Sequence, residues 1–164
     1  MMQSSLYSHM NTYYIHINNT PVGDITVTEN EGYITGLTLD KSCSGKCLRT
    51  ALLDLCERQL WEYFRGERRN FELPLHMVGT AFQQKVWQAI LDIPYGKTIT
   101  YAELAKRIGS PDGARAAGSA CGANPIAIIV PCHRVLGKNG LGGYAYGADA
   151  KKTLLKIEKL GNNY

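Results

Sequence analysis

Two helix starts are written into the second half of this chain, and they limit its fold more than any other feature. Thr80-x-x-Gln83 and Thr100-x-x-Glu103 are capping-box patterns, in which a threonine side chain and a Gln or Glu three residues on satisfy each other's backbone N–H groups. After the first, Phe82, Val86, Ala89 and Ile90 form an apolar stripe that ends before Ile93-Pro94-Tyr95-Gly96. The second opens a short helix from Tyr101 to Ile108, stopped by Gly109. Ser110-Pro111 restarts the chain, and a third helix runs from Gly113 to Cys121 and ends at Asn124-Pro125. Two short helices across a tight glycine-containing turn have the proportions of a helix-turn-helix.

The first half reads differently. Tyr13–Ile17, Ile25–Thr28 and Tyr33–Leu39 are short and rich in β-branched and aromatic residues, with Asn18-Asn19 and Glu31-Gly32 as turn material. They predict a small antiparallel sheet. From Lys46 to Arg65, Leu48, Leu52, Leu55, Trp61 and Phe64 recur at helical spacing before Gly66, which predicts a helix covering one face of that sheet. Residues 66–79 are polar and carry Pro74, as a connection between two halves would. The fold class expected is therefore α+β: a sheet-and-helix domain over residues 1–75, then a mainly helical domain over residues 79–164.

The chain has 164 residues, 45% of them hydrophobic, which suits one large domain or two small ones. It has no apolar run long enough for a membrane span, and its first ten residues lack the apolar middle of a signal peptide, so a soluble cytoplasmic protein is expected. Cys43, Cys47, Cys56, Cys121 and Cys132 show neither zinc-site spacing nor a disulfide framework, although Cys43 and Cys47 could pair. His9, His16 and His76 are scattered, and no metal or cofactor is expected. The charge is uneven: residues 1–79 carry seven Lys/Arg against nine Asp/Glu, and residues 80–164 carry eleven against five. A polyanion-binding half would be segregated in this way, and so could an ordinary basic surface.

Within the basic half, the third helix is built from Ala114, Ala116, Ala117, Gly118, Ser119 and Ala120, with Arg115 as its one long basic side chain. A major-groove reader carries several Arg, Asn or Gln. This helix suits close approach to DNA without sequence reading, or tight helix packing inside an enzyme.

Chemistry gathers after the run Ile126-Ala-Ile-Ile-Val130, read as a buried strand, which leads into Pro131-Cys132-His133-Arg134. A thiol beside an imidazole is a candidate nucleophile, because the thiolate attacks and a neighbouring base can generate it. Adjacent side chains on a strand point apart, so the pair requires a turn after Pro131 or a bridging water. Glu158, on a last helix from Lys151 to Leu160, is the carboxylate that could orient His133. The plain alternative is an inert buried thiol. The loop from Gly137 to Gly147 holds five glycines and two tyrosines; it lacks Walker and Rossmann patterns and could face a planar ligand or be a surface loop.

Taken together, these residues resemble the O6-alkylguanine-DNA alkyltransferases, or methylated-DNA–protein-cysteine methyltransferases. The resemblance rests on Gly79-Thr-x-Phe-Gln-Gln-x-Val-Trp87, Ile93-Pro-Tyr-Gly-x-Thr98, Tyr101-x-x-Leu-Ala105, Arg115-Ala, Asn124-Pro-Ile, Pro131-Cys-His-Arg-Val135, Gly143-Tyr144 and Lys151-x-x-Leu-Leu-x-x-Glu158. It covers residues 79–161 in order and spacing, while the first 75 residues agree in size and coarse pattern and would form the family's ribonuclease-H-like domain.

The resemblance implies a single-turnover DNA-repair enzyme that moves an alkyl group from O6 of guanine, and from O4-alkylthymine, to its own Cys132. His133 would activate the thiol through a water, Glu158 would complete the relay, and Asn124 would brace the turn. Tyr101 would protonate the leaving base. The partner would be double-stranded DNA, bound by a monomer without sequence preference, with the base flipped out and Arg115 filling the stack. Ala114, Ser119, Lys106 and Lys138 would complete the DNA face. Tyr144, Ala145, Tyr146, Val135 and Lys151 would form the pocket. The loop departs from the usual pattern in being one residue shorter before Tyr144 and in carrying Ala145-Tyr146-Gly147, so Tyr146 is expected to crowd a bulky adduct or stack on the base. Gly122 stands where some relatives carry an arginine, a loss that Lys106, Arg107 or Lys138 would offset. A lesion-binding relative would lack Cys132, a cysteine hydrolase would turn over without DNA, and a transcription regulator would prefer one sequence.

Overall fold

The computed structural model describes residues 11–159, which form two compact units divided between Met77 and Val78, within the polar connection the sequence predicts. In the first unit, β1 (Thr12–Thr20), β2 (Gly23–Asn30) and β3 (Tyr33–Thr38) form an antiparallel meander. Ile17 pairs with Ile25 and Val27 with Leu37, which brings the apolar residues of adjacent strands into register. The hairpin between β2 and β3 turns at Glu31 and Gly32, both at positive φ, as a tight two-residue connection demands.

Two expectations for this unit need correction. The sheet is not wholly antiparallel, because a short fourth strand, β4 (Lys46–Cys47), pairs in parallel with β1 through Tyr13 and Tyr14. The helix therefore starts later than Lys46: α1 spans Ala51–Phe64, capped by the Thr50 side chain, which accepts from Leu53 N at 3.1 Å. Its inward stripe is Leu53, Cys56, Leu60, Tyr63 and Phe64; of the predicted stripe Phe64 is buried, Leu52, Leu55 and Trp61 are half-buried, and Leu48 is 52% exposed. Gln59 is buried among them, its amide bonded in both directions to the Glu72 backbone at 2.9 and 3.2 Å. That bracket ties the segment after α1 back onto the helix.

In the second unit both capping boxes form. They start α2 (Ala81–Leu91) and α3 (Tyr101–Arg107), and α4 (Ala114–Gly122) follows across the turn at Gly109. Trp87 is fully buried and its indole N–H donates to Ala120 O at 2.8 Å, locking α2 to α4. Gly79 has to be glycine for this indole to fit, since a Cβ there would lie 2.4 Å from the ring. On α4, Ala117, Ala120 and Cys121 face inward while Arg115, Ala116 and Ser119 are exposed. One side of the small-residue helix thus serves packing and the other is open to a partner.

The predicted strand over residues 126–130 is instead a buried turn. Ile128 has φ 69°, and Ile129 N and Val130 N donate back to Ala127 O and Ile126 O. The two-stranded parallel pairing lies elsewhere, between β5 (Ile99–Thr100) and β6 (Val135–Leu136). The last helix, α5, spans Ala148–Ile157, starting three residues before the predicted Lys151; Leu160, its expected end, lies outside the described residues, as does His9. Among the described residues no helix is long and apolar enough to cross a membrane.

Candidate active site

Pro131 ends the buried turn and a single 3₁₀ turn, Cys132–Arg134, carries the chain into β6. Its bonds, Cys132 N to Val130 O at 2.8 Å and Arg134 N to Pro131 O at 3.0 Å, are those of the turn that the cysteine–histidine pair requires. Asn124, at the end of α4, holds this hairpin-like path together. Its Oδ1 accepts from Ile126 N at 3.0 Å, and its Nδ2 donates to Val130 O at 2.8 Å and to Cys132 Sγ at 3.1 Å. One buried amide therefore satisfies the irregular backbone and touches the thiol.

His133 and Glu158 are buried, and His133 Nε2 lies 2.7 Å from Glu158 Oε2. Facing a carboxylate, Nε2 carries the proton, which leaves Nδ1 as the basic nitrogen. Glu158 occupies the C-cap of α5 and also receives Arg134, whose Nε donates to Oε1 at 2.8 Å and whose Nη2 bonds the same oxygen. Arg134 Nη1 donates to Ile93 O at 2.7 Å. Burial alone would raise the Glu158 pKa, but the bonds from His133 and Arg134 outweigh it and hold the carboxylate ionised, below its ordinary range. Burial pushes the His133 pKa down, against the pull of Glu158, so the imidazole is neutral at neutral pH. Burial also pushes the Cys132 thiol up, opposed by the Asn124 bond and by Lys151.

Cys132 borders a cavity of about 210 Å³, lined also by Tyr101, Gly118, Cys121, Gly122, Gly143, Tyr144 and Ala145. That is below the roughly 300–1,000 Å³ of pockets for drug-sized ligands and suits a small planar group. Tyr101 stands at its edge with the hydroxyl donating to Gly143 O at 3.2 Å, and burial raises its pKa to about 12. Of the expected pocket residues, Tyr144 and Ala145 line the cavity; Tyr146, Val135 and Lys151 do not. Tyr146 sits in the turn closed by Gly147 N to Tyr144 O and rests edge-on against the Tyr144 ring, centroids 5.8 Å apart. Val135 is consumed in pairing with Ile99. Lys151 is fully buried, its amine donating to Val135 O at 2.6 Å and Gly143 O at 2.9 Å, and burial lowers its pKa to about 8.

Sequence reasoning missed three features here. Arg134 was visible only as part of a motif, since its partner Glu158 is 24 residues away. Gly118 and Gly122 line the cavity because α4 repeats a side-chain-free position every turn, a spacing open to view beforehand. Cys121 is a second cavity thiol, pushed up to about 12 by burial first and by Cys132 second.

The expected DNA-facing residues lie on exposed parts of the unit. Arg115 and Ser119 are exposed, Ala114 is half-buried, and Lys106 and Lys138 are exposed. Arg115 shares a helical stripe with Gly118 and Gly122, three and seven residues on, so it flanks the cavity wall. Cys43 and Cys47 are separate, exposed thiols. Among the described residues no three His, Cys, Asp or Glu side chains converge as metal ligands would.

Two family models match this chain: the DNA binding domain of 6-O-methylguanine DNA methyltransferase over residues 81–160, and its ribonuclease-like domain over residues 10–77. The constitutive methylated-DNA–protein-cysteine methyltransferase of Bacillus subtilis is 43% identical over 158 residues, covering 90% of this chain and 96% of the relative. A methylated-DNA–protein-cysteine methyltransferase of Methanosarcina acetivorans is 58% identical over 102 residues, and the match spans 62% of this chain and 65% of that protein. Among solved structures, that of Mycobacterium tuberculosis OGT in complex with DNA superposes with a TM-score of 0.83 at 43% identity, covering 90% of this chain and 92% of that one.

Proposed function

This chain belongs to the methylated-DNA–protein-cysteine methyltransferase family, and we propose that it repairs DNA by taking the alkyl group of O6-alkylguanine, or O4-alkylthymine, onto Cys132. The observation that carries the assignment is the junction of Asn124, Cys132, His133 and Glu158: a thiol on a braced turn, next to a neutral imidazole whose tautomer a carboxylate fixes.

Cys132 rests as a thiol, so its deprotonation has to accompany attack. His133 Nδ1, through a water, takes the proton, and Glu158 stabilises the imidazolium that forms. The sulfur attacks the alkyl carbon, the S–C bond forms, and the C–O bond breaks with its electron pair going to the base oxygen. Tyr101 delivers a proton to the base, which leaves as unmodified guanine; the phenol is reprotonated from solvent. The thioether has no exit, and the protein is spent.

A base in duplex DNA reaches such a cavity only by leaving the stack. Arg115, on the stripe that walls the cavity, fits as the side chain that fills the gap, and the glycines beside it permit close approach. With few base-reading side chains, affinity comes from phosphate contacts by groups such as Lys106 and Lys138, so binding by the monomer is salt-sensitive and nearly indifferent to sequence. The sheet-and-helix unit is structural, and the protein works in the cytoplasm wherever the DNA lies.

Incubation with a duplex carrying O6-methylguanine should add one methyl mass to the Cys132 peptide, with one equivalent of guanine restored, and Cys132→Ala should gain nothing. Repeated turnover, or methyl mass on another cysteine, refutes the assignment.

A further inference from the structure

The carbonyl oxygen of Gly143 accepts from two donors at once, Tyr101 Oη at 3.2 Å and Lys151 Nζ at 2.9 Å. A carbonyl has two lone pairs, so both fit. The two bonds are unequal, because O–H···O bonds cluster near about 2.7–2.8 Å and the tyrosine's is long, whereas the ammonium's is charge-assisted. Lys151 is pinned from its other side by Val135 O at 2.6 Å and has no exposed surface, while Tyr101 lines the cavity. The lysine cannot leave and the phenol can.

Resting on the reading of Tyr101 as the proton donor, we propose that Lys151 is a positioning residue that holds the Gly143 carbonyl on behalf of Tyr101, freeing the phenol to transfer its hydrogen bond to an extruded base. Gly143 is exposed in the free protein but forms part of the cavity wall, so a bound base would shield its carbonyl from water. Without Lys151, moving the tyrosine proton to the base would then strand that carbonyl at the moment of reaction. With Lys151 in place, the O–H rotates about its own bond, the ring stays where it is, and the loop keeps its anchor. The amine lies 5.8 Å from the Tyr101 ring centroid, near enough to hold ring and loop as one unit.

The test is a double-mutant cycle on labelling of Cys132 by free O6-methylguanine, followed by intact mass at saturating base. Lys151→Met should lower the limiting rate about tenfold, the low end of what an unpaired acceptor costs. Tyr101→Phe should cost the wild type about a hundredfold, as loss of a general acid does. In the Lys151→Met background it should cost only about tenfold, because Lys151 has no task once the phenol is gone and the double variant should be as slow as Tyr101→Phe alone. Costs that multiply across the cycle overturn the proposal, as does a Tyr101→Phe variant as fast as wild type. Should Lys151→Met fail to fold, Tyr101→Phe decides alone. Its melting temperature should stay within about 2 °C of wild type if the tyrosine bond is redundant, and a drop of more than about 4 °C overturns the proposal. Absence of any methyl on wild-type Cys132 would instead refute the acceptor assignment.

Discussion

Asn124→Ala separates the brace on the active turn from its effect on the thiol. The substitution strands the buried Ile126 N–H, whose bond is to Oδ1, at a cost of about 1–3 kcal/mol. Val130 O loses one donor but keeps Cys132 N, so its loss is closer to about 0.5–1.5 kcal/mol. The variant should therefore be less stable by about 2–4 kcal/mol, and should be studied at a temperature where it remains folded.

The second effect is chemical. The Nδ2 bond to Sγ holds the Cys132 pKa down against burial, and a hydrogen bond to an ionised acceptor contributes about 1.5–3 kcal/mol. Its loss lowers the thiolate population at fixed pH by about 10- to 100-fold. A more basic thiolate is also a better nucleophile, with a Brønsted slope near 0.4–0.5, so the net loss of rate shrinks to about 3- to 15-fold. The assay is carboxamidomethylation of Cys132 by iodoacetamide across pH, read on the Cys132 peptide so that the other thiols do not interfere. The variant's profile should shift to higher pH and meet or exceed the wild type at the alkaline end. A profile displaced only in height would show that Asn124 acts on the backbone alone, which refutes the electrostatic half of the argument.

Three further outcomes follow from the buried cluster and the exposed helix face. The His133 pKa is depressed below 6.5 in the folded state and that of Glu158 below 4.5. The unfolded chain thus takes up protons first as pH falls, so stability should decline below about pH 6.5 and further through the carboxylate range. Glu158→Gln should cost about 3–5 kcal/mol by leaving buried Arg134 without its counter-charge, and a melting curve as stable as wild type would contradict the geometry. Arg115→Ala should slow repair in duplex DNA far more than labelling by the free base; equal losses would mean that Arg115 is not a stack filler.

The parts of the fold set by local chemistry were legible in the chain. Thr80 with Gln83 and Thr100 with Glu103 cap the helices they were expected to cap, because a capping box is a contact between residues three apart. Long-range pairing was not legible. Lys46 and Cys47 continue the helical pattern of Leu48 and Leu52, yet they pair with Tyr13 and Tyr14, more than thirty residues earlier. The run over residues 126–130 read as a strand because every residue in it is apolar, and every one is buried. A pattern of burial cannot distinguish a strand from a turn whose backbone groups are satisfied by the side-chain amide of Asn124 and by one another. Tyr146 was misplaced for a related reason: a turn at residues 144–147 decides which neighbour faces the cavity, and the loop's composition does not encode that direction.

The charge states around Cys132 bear on the choice between a transferase and a cysteine hydrolase. A hydrolytic thiol is commonly stored as a thiolate against an imidazolium, with its pKa pulled far below that of free cysteine. Here the shifts run the other way: burial raises Cys132 and lowers His133, so both rest neutral. A neutral pair has little reactivity toward chance electrophiles, which matters for a protein that can react only once. Reaction then needs an electrophile held in the cavity beside the sulfur and a route for the thiol proton. In the proposed mechanism Glu158, kept ionised by its bonds from His133 and Arg134, supplies the counter-charge for the imidazolium only after the proton has moved. On that reading Arg134 helps keep ready the charge that transfer needs, and the cost of burying it falls on fold stability rather than on the selectivity of the thiol.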